Sequence, residues 1–243
     1  MSRFHPLLTL LLPLALTACG GMRRLDEPIG QPSSSAASNP SESGELYTDA
    51  VRAMMAKGQF YAALAHLQED RRVHGDSPML RLLEADARRN LGQDRDAELL
   101  YKTLLNGTQA ADAHHGLGRI YAGRDLAMSV DHLRKASALR PTDVDIRNDL
   151  GYALMRARRY PEAKVELATA AELAPGELKS RNNLLILLML MRDEAAVRRI
   201  ALSTGVDDSL LGLLRAEAAS LQNPLTQPKA GGIAPLGRTG GAG

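Results

Sequence analysis

Most of this chain has the rhythm of amphipathic helices, but the segments at its two ends do not. At the start, Leu7, Leu8, Leu10, Leu11, Leu12, Leu14 and Leu16 follow Arg3 and His5 and run into the small residues Thr17 and Ala18. Interrupted by Pro13, this run falls short of the ~20 residues a helix needs to cross a bilayer, and it reads as a signal peptide over residues 1–18. Residues 19–44 are rich in Pro and Ser and bury too little apolar surface to fold, so they predict a flexible tether.

From about residue 45, apolar side chains recur three and four positions apart, the spacing of one helix face. The breaks predict helical pairs over 45–72, 78–105, 110–139, 143–173 and 177–203. A closing helix follows, capped by Asp207 or Asp208 and carrying Leu210, Leu211, Leu213 and Leu214 over the last pair. The folded part thus spans 45–221, and the Pro- and Gly-rich residues 222–243 predict a disordered tail. One stretch, Leu184 to Met191, is apolar on every side. Such a helix is either buried all round or offers part of itself to a partner.

The pairs repeat. Pro141 and Pro175 stand 34 residues apart, each after an apolar helix end. Between them lie Leu150-Gly151-x-x-Leu154, Ala163-x-x-x-Leu167 and Ala170, an order in which Gly151 and Ala163 let two helices cross closely while the leucines fill the surrounding gaps. Leu117-Gly118-x-x-Tyr121 with Ser129, Leu133, Ala136 and Pro141 repeats this with a loop one residue shorter. Weaker copies place Ala85, Gly92, Ala97 and Tyr101 in one unit and Gly58, Ala63 and Leu67 in another. In the last unit Leu185 replaces the glycine and Arg192 takes a common turn-glycine position, which predicts a slightly different crossing. This pattern resembles the tetratricopeptide repeat, whose period is 34. The resemblance implies an all-α, right-handed solenoid of about five helical hairpins with a C-terminal capping helix.

Composition narrows the function. With 30 Lys+Arg against 28 Asp+Glu, the charge of +2 gives no general attraction to nucleic acid. Neither a hydrolase elbow, a zincin pair, a phosphate loop nor a dinucleotide fingerprint occurs, so no enzyme and no cofactor is expected. His114, His115 and His132 do not have metal-ligand spacing, since neighbours on a helix point about 100° apart; they read as groove and packing histidines. Asp143 and Asp145 sit at a helix start and read as caps. The basic run Arg156 to Arg159 reads as a solvated helix end.

Cys19 is the only cysteine. Leu16-Thr17-Ala18-Cys19 resembles the bacterial lipobox, which implies a covalent lipid on Cys19 as the new N-terminus. Gly20 follows where an aspartate would favour inner-membrane retention, so the resemblance implies the outer membrane, periplasmic side.

In the repeat family the first helix of each hairpin lines a concave groove. The matching residues here are Asp112, His115 and Arg119, then Asp145, Asn148, Tyr152, Met155 and Arg156, then Lys179, Asn182, Ile186 and Met189. Asn148 and Asn182 recur at one position, where their amides can hold a partner's backbone or join helix to helix. The lipobox, the tether, the five repeats and the phrase Asn148 to Leu154 together resemble the TadD family of Flp (tight adherence) pilus assembly lipoproteins, which are similar to type IV pilus pilotins. That resemblance implies a protein-binding scaffold whose partner is a secretin subunit or another pilus-assembly component. The alternatives are adaptors of outer-membrane β-barrel assembly, a family richer in aromatics than this chain with two Phe and no Trp, or of cell-wall enzymes and proteases.

Overall fold

The computed structural model describes residues 40–223, and the side chains from Tyr47 onward. The expected signal peptide, Cys19, most of the tether and the tail beyond Asn223 lie outside that range. Among the described residues all regular structure is helical, arranged as five successive hairpins and one further helix. The hairpins are α1 (Pro40–Ala56) with α2 (Phe60–His74), α3 (Pro78–Asn90) with α4 (Asp94–Lys102), and α5 (Ala110–Tyr121) with α6 (Leu126–Leu139). They continue with α7 (Val144–Arg156) and α8 (Tyr160–Leu173), then α9 (Leu178–Leu190) and α10 (Glu194–Thr204), and close with α11 (Asp208–Gln222). Helix α1 starts five residues before the expected edge at 45. Proline needs no amide partner in a first helical turn, so it can open the helix.

Local chemistry explains where the helices start. The side chains of Ser77, Asp125, Asp143, Glu177, Asp193 and Asp207 each accept from the amide three residues on, satisfying a donor that has no partner inside the helix. Asp143 is therefore a cap, as its position suggested, and Asp145 lies exposed in the first turn, where a negative charge suits the unpaired amides.

The hairpins close where a side chain is missing. A Cβ on Gly151 would stand 2.5 Å from Leu167 Cγ, and one on Gly118 would stand 2.5 Å from Leu133 Cγ. Ala163 and Ser129 face these crossings and are fully buried, and the Ser129 hydroxyl donates to the Gly118 carbonyl at 2.7 Å. In the fifth unit Leu185 fills the crossing position, and α10 touches α9 far less than α8 touches α7. The leucine side chain excludes the closer approach that glycine permits.

The turns divide into two kinds for a countable reason. Val51 and Ala63, Ala85 and Ala97, Gly151 and Ala163, and Leu185 and Val197 are each twelve residues apart, whereas Gly118 and Ser129 are eleven apart. In the four twelve-residue turns the seventh residue after the crossing is left-handed: Gly58, Gly92, Arg158 and Arg192, with φ of 75°, 74°, 59° and 60°. The next amide bonds back to the carbonyl five residues earlier, from Gln59 to Met54, Gln93 to Arg88, Arg159 to Leu154 and Asp193 to Leu188. The shorter turn drops that residue, and Asp125 N–H bonds to the Tyr121 carbonyl instead.

Successive hairpins stack by each second helix packing on the next first helix, α2 on α3, α4 on α5, α6 on α7 and α8 on α9. Helix α11 departs from this scheme, because it packs against α9 instead of α10. Its Leu211, Leu214 and Ala218 join the core around Leu184 to Leu190, and Arg158 Nη2 donates to the Gln222 carbonyl at 3.2 Å. The helix that is apolar on all sides is thereby buried on all sides.

Two outcomes test this account. Gly118→Ala and Gly151→Ala each destabilise by about 1–3 kcal/mol in chemical denaturation, although alanine is the better helix former by about 1 kcal/mol, because overpacking is the larger effect. Ala163→Arg costs still more, while the exposed neighbour Glu162→Ala shifts the melt little. At the turns the sign reverses: Arg192→Gly stabilises by about 0.5–1 kcal/mol, since only the arginine is strained at positive φ.

Candidate functional site

The residues expected to line a groove separate into three environments. Asn148, Met155, Ile186 and Met189 are interior, at 1%, 2%, 1% and 8% exposure, so the reading that offers them to a partner is corrected. Asn148 accepts from Asn183 Nδ2 at 2.8 Å and donates to Asp149 at 3.2 Å. Its amide joins helix to helix. Asn182, the residue expected to pair with it functionally, is half-buried and accepts from its own neighbour Arg181. Ile186 and Met189 belong to the apolar core that α11 also enters.

Tyr152 and Arg156 form a second, half-covered group. Burial raises the Tyr152 phenol above its usual range, reinforced by Glu217 of α11, while Arg156 opposes the shift. Arg156 Nη1 donates to the Ala122 carbonyl at the end of α5 at 2.7 Å, locking one hairpin to the previous one. Both residues therefore serve the covered part of the groove.

The third group surrounds Asp149, a residue missed at the sequence level. Its carboxylate is buried between α5, α7 and α9, where Oδ2 accepts from His115 Nε2 at 2.9 Å and Oδ1 from Lys179 Nζ at 3.0 Å. Arg119 Nε lies 3.7 Å away, and Asp145 stands 3.6 Å from Lys179. Burial alone would raise its pKa, but the His115 hydrogen bond and the charges of Lys179, His115 and Arg119 outweigh burial and hold it well below the usual carboxylate range. His115 and Lys179 thus spend hydrogen bonds inside the protein, and Arg119 stays half-exposed beside them.

Around Arg119 the surface is concave and open. The hollow is lined by Met55 of α1, by Asp86, Arg89 and Asn90 of α3, and by Asp112, His115, Gly116 and Arg119 of α5. A continuation reaches Arg52, Met79, Leu82 and Arg140. Tyr101 of α4 is buried beneath its floor: the ring packs where a Cβ on Gly116 would stand, and the hydroxyl donates to Asp86 at 2.5 Å. Asp112 is held by Arg140 through two bonds of 2.6 Å.

Several of these groove residues were missed because units one and two lack a crossing glycine. The register nevertheless names them, since Arg52, Asp86, Arg119, Tyr152 and Ile186 each follow the crossing residue directly, and Met55, Arg89, Ala122, Met155 and Met189 stand four after it.

His114 and His132 lie apart from the hollow. Their Nδ1 atoms share a hydrogen bond of 2.9 Å, and His132 stacks on Tyr121 at 5.5 Å between centroids. Burial lowers both pKa values; His114 adds to the shift at His132, and the Lys135 charge lowers both, against Asp131, which raises them. Among the described residues no group of three or more His, Cys, Asp or Glu could hold a metal ion, and no helix is long and apolar enough to cross a membrane.

The pH dependence follows from these directions. Both histidines have folded pKa values below the ordinary 6.5, so the stability they contribute is complete above 6.5 and is lost as pH falls through the folded values. His132→Phe flattens the decline in melting temperature between about pH 7 and pH 5. Asp149 acts in a lower window, contributing above its ordinary 3.8 and losing that contribution as pH falls through its depressed value. Asp149→Asn costs about 2–4 kcal/mol at neutral pH, less than a fully buried pair because Lys179 and Arg119 reach solvent. The gap between variant and parent narrows in acid, as urea titrations at pH 7 and pH 3 would measure.

Comparison with known proteins supplies a lineage for this geometry. A TPR repeat-containing protein of Pseudomonas aeruginosa is 35% identical over 187 residues, covering 76% of this chain and 70% of that protein. The solved structure of pilF from Pseudomonas aeruginosa matches with a TM-score of 0.60 at 16% identity, over 74% of this chain and 82% of that one. A thermophilic TPR protein of Thermus thermophilus matches with a TM-score of 0.53 at 18% identity, over 73% and 98%. At these identities the solved structures speak for the fold. No family model matches the chain.

Proposed function

This chain belongs to the TPR repeat-containing proteins, and from that premise we propose that it is a lipid-anchored scaffold that acts by binding another protein. The observation that carries the protein-binding reading is the concave hollow on α1, α3 and α5, whose lining runs across the first helices of three successive hairpins. A solenoid uses such an inner surface to hold a segment of a partner.

The finer proposal is a pilotin-like lipoprotein that assists secretin assembly in Flp (tight adherence) pilus biogenesis. Support comes from the lipobox Leu16 to Cys19 and from the phrase Asn148-Asp149-Leu150-Gly151-Tyr152-Ala153-Leu154, both of which resemble that class of lipoprotein. Lipid on Cys19 holds the chain on the periplasmic side of the outer membrane, the place where secretin rings form. Several acyl chains are needed for this, because one chain at ~0.8 kcal/mol per buried methylene gives only marginal binding.

Cys19→Ser releases the protein from membranes and removes fatty-acid labelling. Deletion of the gene lowers the amount of assembled secretin in the outer membrane and abolishes pili. Membrane association that survives the Cys19 substitution would overturn the anchor, and normal secretin multimers in the deletion strain would overturn the assembly role.

A further inference from the structure

The inner surface is divided between two halves of opposite character. Toward the C-terminus, the positions that follow the crossing residue hold Tyr152 and Ile186, and those four after it hold Met155 and Met189. This apolar half is covered by the chain's own α11, whose leucines join the same core. Toward the N-terminus the equivalent positions hold Arg52, Asp86 and Arg119, then Met55 and Arg89. No helix covers this half among the described residues, and its floor is polar and charged.

The charges on that floor are unequally satisfied. Asp112 is bound by Arg140, Asp86 by the Tyr101 hydroxyl, and Asp149 by His115 and Lys179. Every one of these carboxylates already has a hydrogen-bonded partner. Arg119 does not: its Nε stands 3.7 Å from an Asp149 that is already engaged, and its two terminal nitrogens have no hydrogen-bond partner among the described residues. A planar guanidinium with its outer edge free matches a carboxylate in two-point geometry. Met55, which lines the same hollow, and Met79 in its continuation offer flexible apolar surface that adapts to a neighbouring side chain.

From this imbalance we propose that the open half of the groove binds an extended partner segment by its Asp or Glu side chains, with Arg119 as the principal contact. The proposal rests on the protein-binding reading above and adds the chemistry of the ligand. An apolar helix is the occupant of the other half; a polar floor with one unspent cation selects an acidic, extended one. Acidic side chains also suit a surface whose neighbouring Arg52 and Arg89 add positive field without leaving the protein's own carboxylates unpaired.

The test uses the detergent-solubilised full chain and three fluorescein-labelled peptides of about twelve residues. One alternates Glu with Leu and Ser and has an amidated end, the second replaces Glu with Gln, and the third is the Gln peptide with a free carboxyl end. The expected result is saturable anisotropy with the Glu peptide, binding at least about tenfold weaker with the amidated Gln peptide, and loss of the difference in 0.5 M salt. Arg119→Gln removes most of the preference while far-UV circular dichroism shows the helices retained, and Arg119→Lys keeps part of it. Equal binding of Glu and Gln peptides, binding by the free-end peptide alone, or no binding by a chain with a normal melt would each overturn the proposal. Those results leave the secretin measurements above untouched, so the two readings fail separately.

Discussion

Two helices can cross closely only where neither carries much of a side chain, and the whole solenoid is organised around that restriction. Gly118 and Gly151 leave room for Leu133 and Leu167, which then seal the crossing from the opposite helix. Once the crossing is fixed, the residues one and four positions later must lie on the inner surface, because helical geometry leaves them no other direction. A steric requirement at one position in each unit therefore also decides which side chains can meet a partner. Where Leu185 takes the glycine's place, the hairpin loosens and the fold has to be completed by other means.

That completion comes from α11. A repeat array ends with an exposed stacking surface, and the fifth unit makes the problem acute because α9 is apolar on every side from Leu184 onward. The usual remedy is to lay a final helix in the place of the next repeat. Here α11 lies on α9 and reaches the α7–α8 turn, so it covers inner positions as well as capping the end. Arg158 contributes at both levels: held at positive φ by the turn, it also donates to the last carbonyl of α11. The array thus gives up half of its concave face to gain a soluble end.

How much of this was legible in the sequence depended on whether the determinant was local. Hairpin positions followed from a period of 34 and from caps, both of which act within a few residues, and the helices lie within a few residues of the expected spans. The groove was less legible. Asn148 and Asn182 have the same residue type at the same repeat position, yet the first pairs across helices with Asn183 and the second with the adjacent Arg181. Nothing in a periodic pattern states which of two neighbouring amides points across. Likewise the exposure of Ile186 was decided by a helix outside the repeat register, and the groove residues of α1 and α3 were hidden because Val51 and Ala85 stand in for glycine. Counting from the turn at Gly58 and Gly92 would have recovered them.

Asp149 shows how the scaffold and its surface are coupled. A carboxylate buried among α5, α7 and α9 is unfavourable unless donors reach it from more than one helix, and here His115 and Lys179 approach from opposite sides. Each donor is then withdrawn from the groove although its repeat position belongs there. Arg119 is the nearest remaining cation, close enough to feel the charge but too far to form a hydrogen bond. The interior carboxylate therefore orients Arg119 without saturating it. A guanidinium in that condition is held at the groove wall by long-range attraction and keeps its outer nitrogens for a second carboxylate, so the same interaction that ties three repeats together also prepares the surface they present.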